Sequence, residues 1–185
     1  FCNDEKIDQM QLKLLGKHNM MNLTASIAVL STLDLDPKDL IAGAKKFAGV
    51  KRRLEYIGQF SKIDLFDDFA HHPTSIKASI TAVKSTLDSS SLYAVVELAS
   101  NTMRKGNLKS KLKQSFVDVD YAWILDSGNI QWDIKEEFAE IQNVSILKTL
   151  DDLHKQIQSK IKPGDSLIIM TNSDSMRIIN ILKKG

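Results

Sequence analysis

Ten consecutive residues, Asp67-Asp68-Phe69-Ala70-His71-His72-Pro73-Thr74-Ser75-Ile76, hold the densest chemistry in the chain: two adjacent carboxylates and two adjacent imidazoles. Carboxylate and imidazole are the usual oxygen and nitrogen donors to metal ions. No third ligand at clear spacing supports a metal, since His18 and His154 are the only other histidines. A nucleotide role suits the residues better, because a carboxylate at a strand end can accept hydrogen bonds from two ribose hydroxyls. The purely structural alternative has Asp67 and Thr74 capping the turn and the helix start, with the imidazoles merely satisfied.

Two further groups precede this one. In Gly16-Lys17-His18-Asn19-Met20-Met21-Asn22 a glycine turn leads into a helix. Asn19 and Asn22, three apart, then share one face near its N-terminus. A carboxamide donates and accepts at once and so can read a base edge, although asparagine at a helix start is also a common cap. In Gly49-Val50-Lys51-Arg52-Arg53-Leu54-Glu55 two guanidiniums stand side by side. Their planar forks grip phosphate oxygens, but neighbours point in different directions, so one is expected to meet a phosphate and the other to be surface or structural.

These groups need elements to hold them. Up to about Val50 the pattern is helical: Met20, Leu23, Ile27 and Leu30 keep helical spacing, as do Leu40, Ile41, Ala44, Phe47 and Ala48. Asp36 is placed to cap the second helix and Pro37 to occupy its first turn. From about Arg53 strands and helices alternate. Strands are expected near Glu55–Phe60, Ile63–Phe66, Tyr93–Leu98, Tyr121–Leu125, Val144–Leu147 and Ser166–Met170. Helical stripes fall between them at Ile76, Ile80, Val83 and Leu87, at Leu108, Leu112 and Phe116, and at Leu153, Ile157 and Ile161; a last helix carries Met176, Ile179 and Leu182. Such alternation predicts a largely parallel sheet with helices on both faces. Its ligand edge, the carboxyl end of the strands, would receive residues 67–72, 99–104, 126–128 and 171–174.

Composition narrows the classes. With 185 residues, 43% hydrophobic and 26% charged, the chain can bury one full domain core with length to spare. A formal charge of +2 gives no reason to expect nucleic acid or an anionic membrane as partner. The single cysteine, Cys2, allows no internal disulfide, and a reducing, cytoplasmic setting is expected. No apolar stretch is long enough to span a bilayer, and Phe1-Cys2-Asn3-Asp4-Glu5-Lys6 has no signal core. The first residue is not methionine, so the chain is expected to start in mid-sequence, as a fragment or a processed product.

In this order the motifs resemble the C-terminal half of a Mur ligase, one of the ATP-dependent amide ligases of bacterial cell-wall synthesis. The resemblance is carried by Gly16-Lys17-His18-Asn19 with Asn22, Phe47-Ala48-Gly49-Val50-Lys51-Arg52-Arg53-Leu54-Glu55 and Asp67-Asp68-Phe69-Ala70-His71-His72-Pro73-Thr74. Ser100-Asn101-Thr102-Met103-Arg104 resembles the members that join UDP-N-acetylmuramate to the recycled tripeptide L-alanyl-γ-D-glutamyl-meso-diaminopimelate. Members that add L-alanine are the alternative. The fold implied is α/β and Rossmann-like, mostly parallel, with residues 1–50 as the tail of an incomplete central ATP-binding domain and 51–185 as the C-terminal domain.

The resemblance also implies roles. The substrate carboxylate becomes an acyl phosphate with ATP and Mg2+, and an amine displaces phosphate. Asn22 would contact adenine, with His18 and Asn19 lining that pocket, and Asp68 and His71 would sit at the ribose. Arg53 would reach the γ-phosphate as the catalytic residue. Ser100, Asn101, Thr102 and Arg104 would face the incoming peptide. No metal ligand is expected within the chain, because the Mg2+-binding acids and the Gly-Lys-Ser/Thr phosphate loop belong to the central domain. On this basis the chain alone is expected to be inactive. Two departures from the family fall on the peptide side. Glu97-Leu98-Ala99-Ser100 lacks the proline and arginine that relatives carry there, and Thr171-Asn172-Ser173-Asp174-Ser175 lacks their glycines. A stand-alone nucleotide-binding module and a metal-dependent hydrolase built on Asp67, Asp68, His71 and His72 are the readings from other classes.

Overall fold

Strand and helix patterns meet at residue 50, and there the computed structural model divides into two compact units, 1–50 and 51–185. It describes residues 14–33, 35–88, 90–126 and 128–183. Cys2 and the Phe1–Lys6 start lie outside the described residues, as do Asp34, Ser89 and Ser127.

The first unit holds two helices, α1 (Lys17–Leu30) and α2 (Pro37–Lys46), with a 3-10 turn at Ser31–Leu33. α1 starts after Gly16, whose φ of 90° no β-branched residue would tolerate. Asp36 caps α2 by accepting from the Lys38 N–H at 2.8 Å, and Pro37 fills the first helical position, as the sequence predicts. Ile41 is buried, whereas α1 buries no side chain.

The second unit is a six-stranded sheet in the order β1-β2-β6-β3-β4-β5. Its strands are β1 (Glu55–Phe60), β2 (Ile63–Asp68), β3 (Leu92–Glu97), β4 (Tyr121–Leu125), β5 (Val144–Leu147) and β6 (Ser166–Met170). β1 and β2 form an antiparallel hairpin whose two-residue turn, Ser61-Lys62, has φ of 52° and 64°. Positive φ at both positions matches the right-handed twist of the flanking strands. Every other pair is parallel, so the expected mostly parallel α/β sheet is observed.

Helices follow the strands: α3 (Pro73–Lys84), α4 (Asn101–Arg104), α5 (Lys109–Lys113), α6 (Ile134–Glu137), α7 (Leu150–Lys160) and α8 (Met176–Leu182). α7 and α8 bury Leu153, Ile157, Ile178 and Ile179 against Leu65, Val95, Trp123, Leu167 and Ile169. The alternate residues Phe66, Ala94, Val96, Ile124 and Ile168 are buried too, and α3, with Ile76, Ile80 and Val83 buried, packs on β3. Each such Leu or Ile contributes about 1.5–3 kcal/mol by leaving water.

Some boundaries differ from the sequence pattern. β2 runs two residues further than Phe66, because Asp67 and Asp68 pair in register with Ile169 and Met170 of β6. α3 ends at Lys84, leaving Leu87 outside it. The stripe of Leu108, Leu112 and Phe116 spans an N-cap, α5 and a 3-10 turn. In α8 the buried residues are Ile178 and Ile179, while Met176 is exposed. The parallel register brings Asp68, Met170, Val96 and Ile124 to one level, and the loops beyond them form a single edge.

Candidate functional site

Successive residues of a strand face opposite sides of the sheet. Asp67 and Asp68, adjacent in β2, are therefore separated by the sheet itself. Asp67 faces α8, where its Oδ2 accepts from the Ser175 hydroxyl at 2.7 Å. Asp68 faces α3, where its Oδ2 accepts from the Ser79 hydroxyl at 2.6 Å and its Oδ1 from the Ala70 N–H at 2.9 Å. Both are buried. The two imidazoles do not join them. His72 is the N-cap of α3: its Nδ1 accepts from the Thr74 N–H at 3.3 Å, and Ser75 completes a capping box. This corrects the structural alternative, in which Asp67 and Thr74 were the caps: Asp68 closes the turn, and Thr74 supplies the donor to His72. No three histidine, cysteine, aspartate or glutamate side chains among the described residues are grouped to hold a metal ion.

His71 is half-buried, with Nδ1 2.9 Å from the Phe69 carbonyl and its ring edge-on to Phe69. A carbonyl only accepts, so Nδ1 carries the proton and Nε2 is left as an acceptor in the neutral ring. Phe69 has a second use. The guanidinium carbons of Arg52 and Arg53 lie 5.2 and 5.7 Å from its ring centroid, within cation–π range.

The two arginines then part. Arg52, at φ 57°, donates its backbone N–H to Glu55 at 2.8 Å and its Nη2–H to the Thr171 carbonyl at 2.6 Å. Its Nε lies 3.5 Å from Asp67 Oδ2, and its carbonyl accepts from Phe69 N–H at 2.8 Å. Arg53 is exposed, and among the described residues its guanidinium has no hydrogen bond or ion pair. Burial pushes the Asp67 carboxyl above the ordinary range, against the opposing pull of the Ser175 hydroxyl and Arg52. Asp67 and Glu55 both lie against Arg52, so the charge left to meet an anion at this corner is that of Arg53.

The model of the Mur ligase, glutamate ligase domain matches residues 52–172, which include all of these groups except Ser175. The chain belongs to the Mur ligase family. The UDP-N-acetylmuramate–L-alanyl-γ-D-glutamyl-meso-2,6-diaminoheptandioate ligase of Escherichia coli (strain K12) is 32% identical over 170 residues, covering 91% of this chain and 37% of that protein. The UDP-N-acetylmuramate–L-alanine ligase of Brachyspira hyodysenteriae is 30% identical over 192 residues, covering 97% of this chain and 41% of that protein. Among solved structures, the murein peptide ligase of Psychrobacter arcticus superposes with a TM-score of 0.72 at 32% identity, over 99% of this chain and 41% of that one. The chain thus spans about two fifths of the length of the relatives it matches.

In this Mur ligase domain, the residues expected at the peptide side sit beyond β3. Ser100 caps α4, its Oγ accepting from Met103 N–H at 3.4 Å; Asn101 and Thr102 are exposed on that helix. Arg104 gives its carbonyl to Gln131 N–H, and its Nε is buried without a hydrogen-bond partner. In the first unit, His18 and Asn22 are exposed, and Asn19 is not a cap: its Nδ2 donates back to the Leu15 carbonyl at 2.8 Å. The family match does not reach these three residues.

Sequence reasoning missed how the edge is tied together. Thr171 Oγ1 donates to Glu97 Oε2 at 2.7 Å, and Arg177 from α8 pairs with Glu97 Oε1. Glu97, Thr171, Arg52, Asp67 and Ser175 thus link the ends of β3, β6 and β2. The available signal was an arginine in the first turn of the helix after β6, on the edge where ligands bind.

Proposed function

We propose that the chain is the C-terminal part of an ATP-dependent ligase that joins UDP-N-acetylmuramate to the tripeptide L-alanyl-γ-D-glutamyl-meso-diaminopimelate. Residues 1–50 are the tail of the ATP-binding domain and 51–185 the domain that follows it. One observation carries the catalytic part: of two adjacent guanidiniums on the Phe69 ring, that of Arg52 is taken by Asp67 and the Thr171 carbonyl, and that of Arg53 has no hydrogen bond or ion pair among the described residues. A guanidinium already charged and held on a rigid ring meets a phosphoryl group with little reorganisation.

ATP, when bound with Mg2+, supplies the phosphoryl group that activates the muramyl carboxylate. The residues present fit part of such a ligand: Arg53 suits a phosphate, and His71 Nε2 an incoming hydroxyl. Asp68 already accepts one hydrogen bond at each oxygen, so a ribose hydroxyl would use its remaining lone pairs. In this reading His18, Asn19 and Asn22 serve the adenine, and Ser100, Asn101, Thr102 and Arg104 the peptide. The protein works in the cytoplasm on soluble UDP-muramyl and peptide substrates, with neither nucleic acid nor membrane as partner; no described helix is long and apolar enough to cross a membrane.

The similarity to the L-alanine ligase of Brachyspira hyodysenteriae favours the second reading, in which the acceptor is L-alanine. Phosphate release from ATP by the full-length ligase, with UDP-N-acetylmuramate and either acceptor, separates the two. The tripeptide is expected to be the better acceptor by at least about tenfold in kcat/KM; a preference for L-alanine reverses the assignment. The chain alone should release no phosphate, and turnover by it would contradict its being one part of a larger catalyst.

A further inference from the structure

The acceptor of such a ligase, amino acid or peptide, brings carboxylates that must be bound while its amine reacts. The loop after β3 has no cation between Glu97 and Arg104. The structure supplies one from elsewhere. Arg177, in the first turn of α8, meets Glu97 at the end of β3.

The form of that pair is informative. Glu97 is buried, with its side chain 3% exposed, and both of its oxygens are used, one by Thr171 and one by Arg177. Arg177 is 36% exposed and spends only Nη2 on Glu97; among the described residues it has no other hydrogen-bond or ion-pair partner. A guanidinium carries five N–H donors in a planar fork. Most of this fork is unspent. Among the described residues, polar atoms on the same edge buried without hydrogen-bond partners include Asn172 Oδ1, just past β6, and Arg104 Nε, just past β3, besides Arg52 Nε and Asp67 Oδ1. A buried polar atom left unpaired is costly, and a bound polar ligand removes that cost.

We propose that Arg177 binds a carboxylate of the acceptor, with Glu97 and Thr171 holding its guanidinium in place. The inference rests on the ligase reading above. It holds for either acceptor, because tripeptide and L-alanine both carry a free carboxylate.

The test compares each acceptor with its fully amidated analogue in the full-length ligase. In the unsubstituted enzyme the free acid should be preferred. Arg177→Gln should raise KM for the free acid by about ten- to a hundredfold while leaving KM for the amide and kcat nearly unchanged, so that the preference disappears. Arg177→Lys should restore part of it. Because Arg177→Gln leaves Glu97 buried without its cation, the Glu97→Gln, Arg177→Gln double variant serves as the control and should show the same loss of preference. An acid-over-amide preference that survives in both variants overturns the inference. Absence of ligation by the unsubstituted enzyme overturns the ligase reading itself.

Discussion

Arg52 and Arg53 share one chemistry and one aromatic ring, yet their surroundings divide them into a strut and a charge with no ion pair among the described residues. The sequence predicts that two such neighbours diverge; it does not say which one is tied down, because Asp67 and Thr171, which meet the Arg52 guanidinium, come from two other segments. Asp67 completes the strut and titrates unusually. Burial raises its carboxyl pKa, so the folded protein holds that proton more tightly than the unfolded chain does. Above the raised value the cost of burying the charge is borne in full. As pH falls through the window above the ordinary carboxylate range the native state takes up the proton, and stability rises. Asp67→Asn removes this titration. Melting temperatures of the two proteins, compared from neutral pH downward, should shift in favour of aspartate as pH falls; a constant difference would contradict the assignment.

At the scale of elements, the alternation of β2 decides what the paired acids can do. Adjacent in sequence, Asp67 and Asp68 resemble a metal or acid–base pair, but a strand extended through both puts them on opposite faces, one on α8 and the other on α3. The strands were legible from runs of β-branched and aromatic residues, and Asp36-Pro37 marked a helix start. The short helices α4 and α6 were not, since four residues give no periodicity to read. They are fixed by tertiary contact instead. The Trp132 indole N–H donates to the Met103 carbonyl at 2.9 Å and lies over Gly106, where φ is 76° and an added Cβ would stand 2.7 Å from the ring. Gly106→Ala should therefore destabilise the fold by about 1–3 kcal/mol in urea unfolding, through both the left-handed backbone and the displaced indole. Unchanged stability would mean that Trp132 does not pack there.

Across the whole molecule, two kinds of information were unequally visible. The order of the asparagine, arginine and aspartate–histidine motifs pointed to the family before any contact was known. The sheet then placed Asp68, His71, Ser100 and Arg104 at its carboxyl edge, with the register of β2, β6 and β3 setting their level. What stayed hidden was long-range: the partners of Glu97 at Thr171 and Arg177 lie 74 and 80 residues away. Pairings at that separation depend on strand order, and β6 enters between β2 and β3 only at the end of the chain.

On the proposed function, the guanidinium of Arg53, which has no hydrogen bond or ion pair among the described residues, acts on the transferred phosphate while Arg52 holds the corner together. Steady-state kinetics of the full-length ligase with Arg53→Ala measures it directly. Arg53 is exposed and bonds no other residue described, so the variant should fold as the parent does. If Arg53 has this role, kcat falls by about a hundred- to a thousandfold with little change in KM for UDP-N-acetylmuramate. A kcat within about twofold of the parent would contradict it.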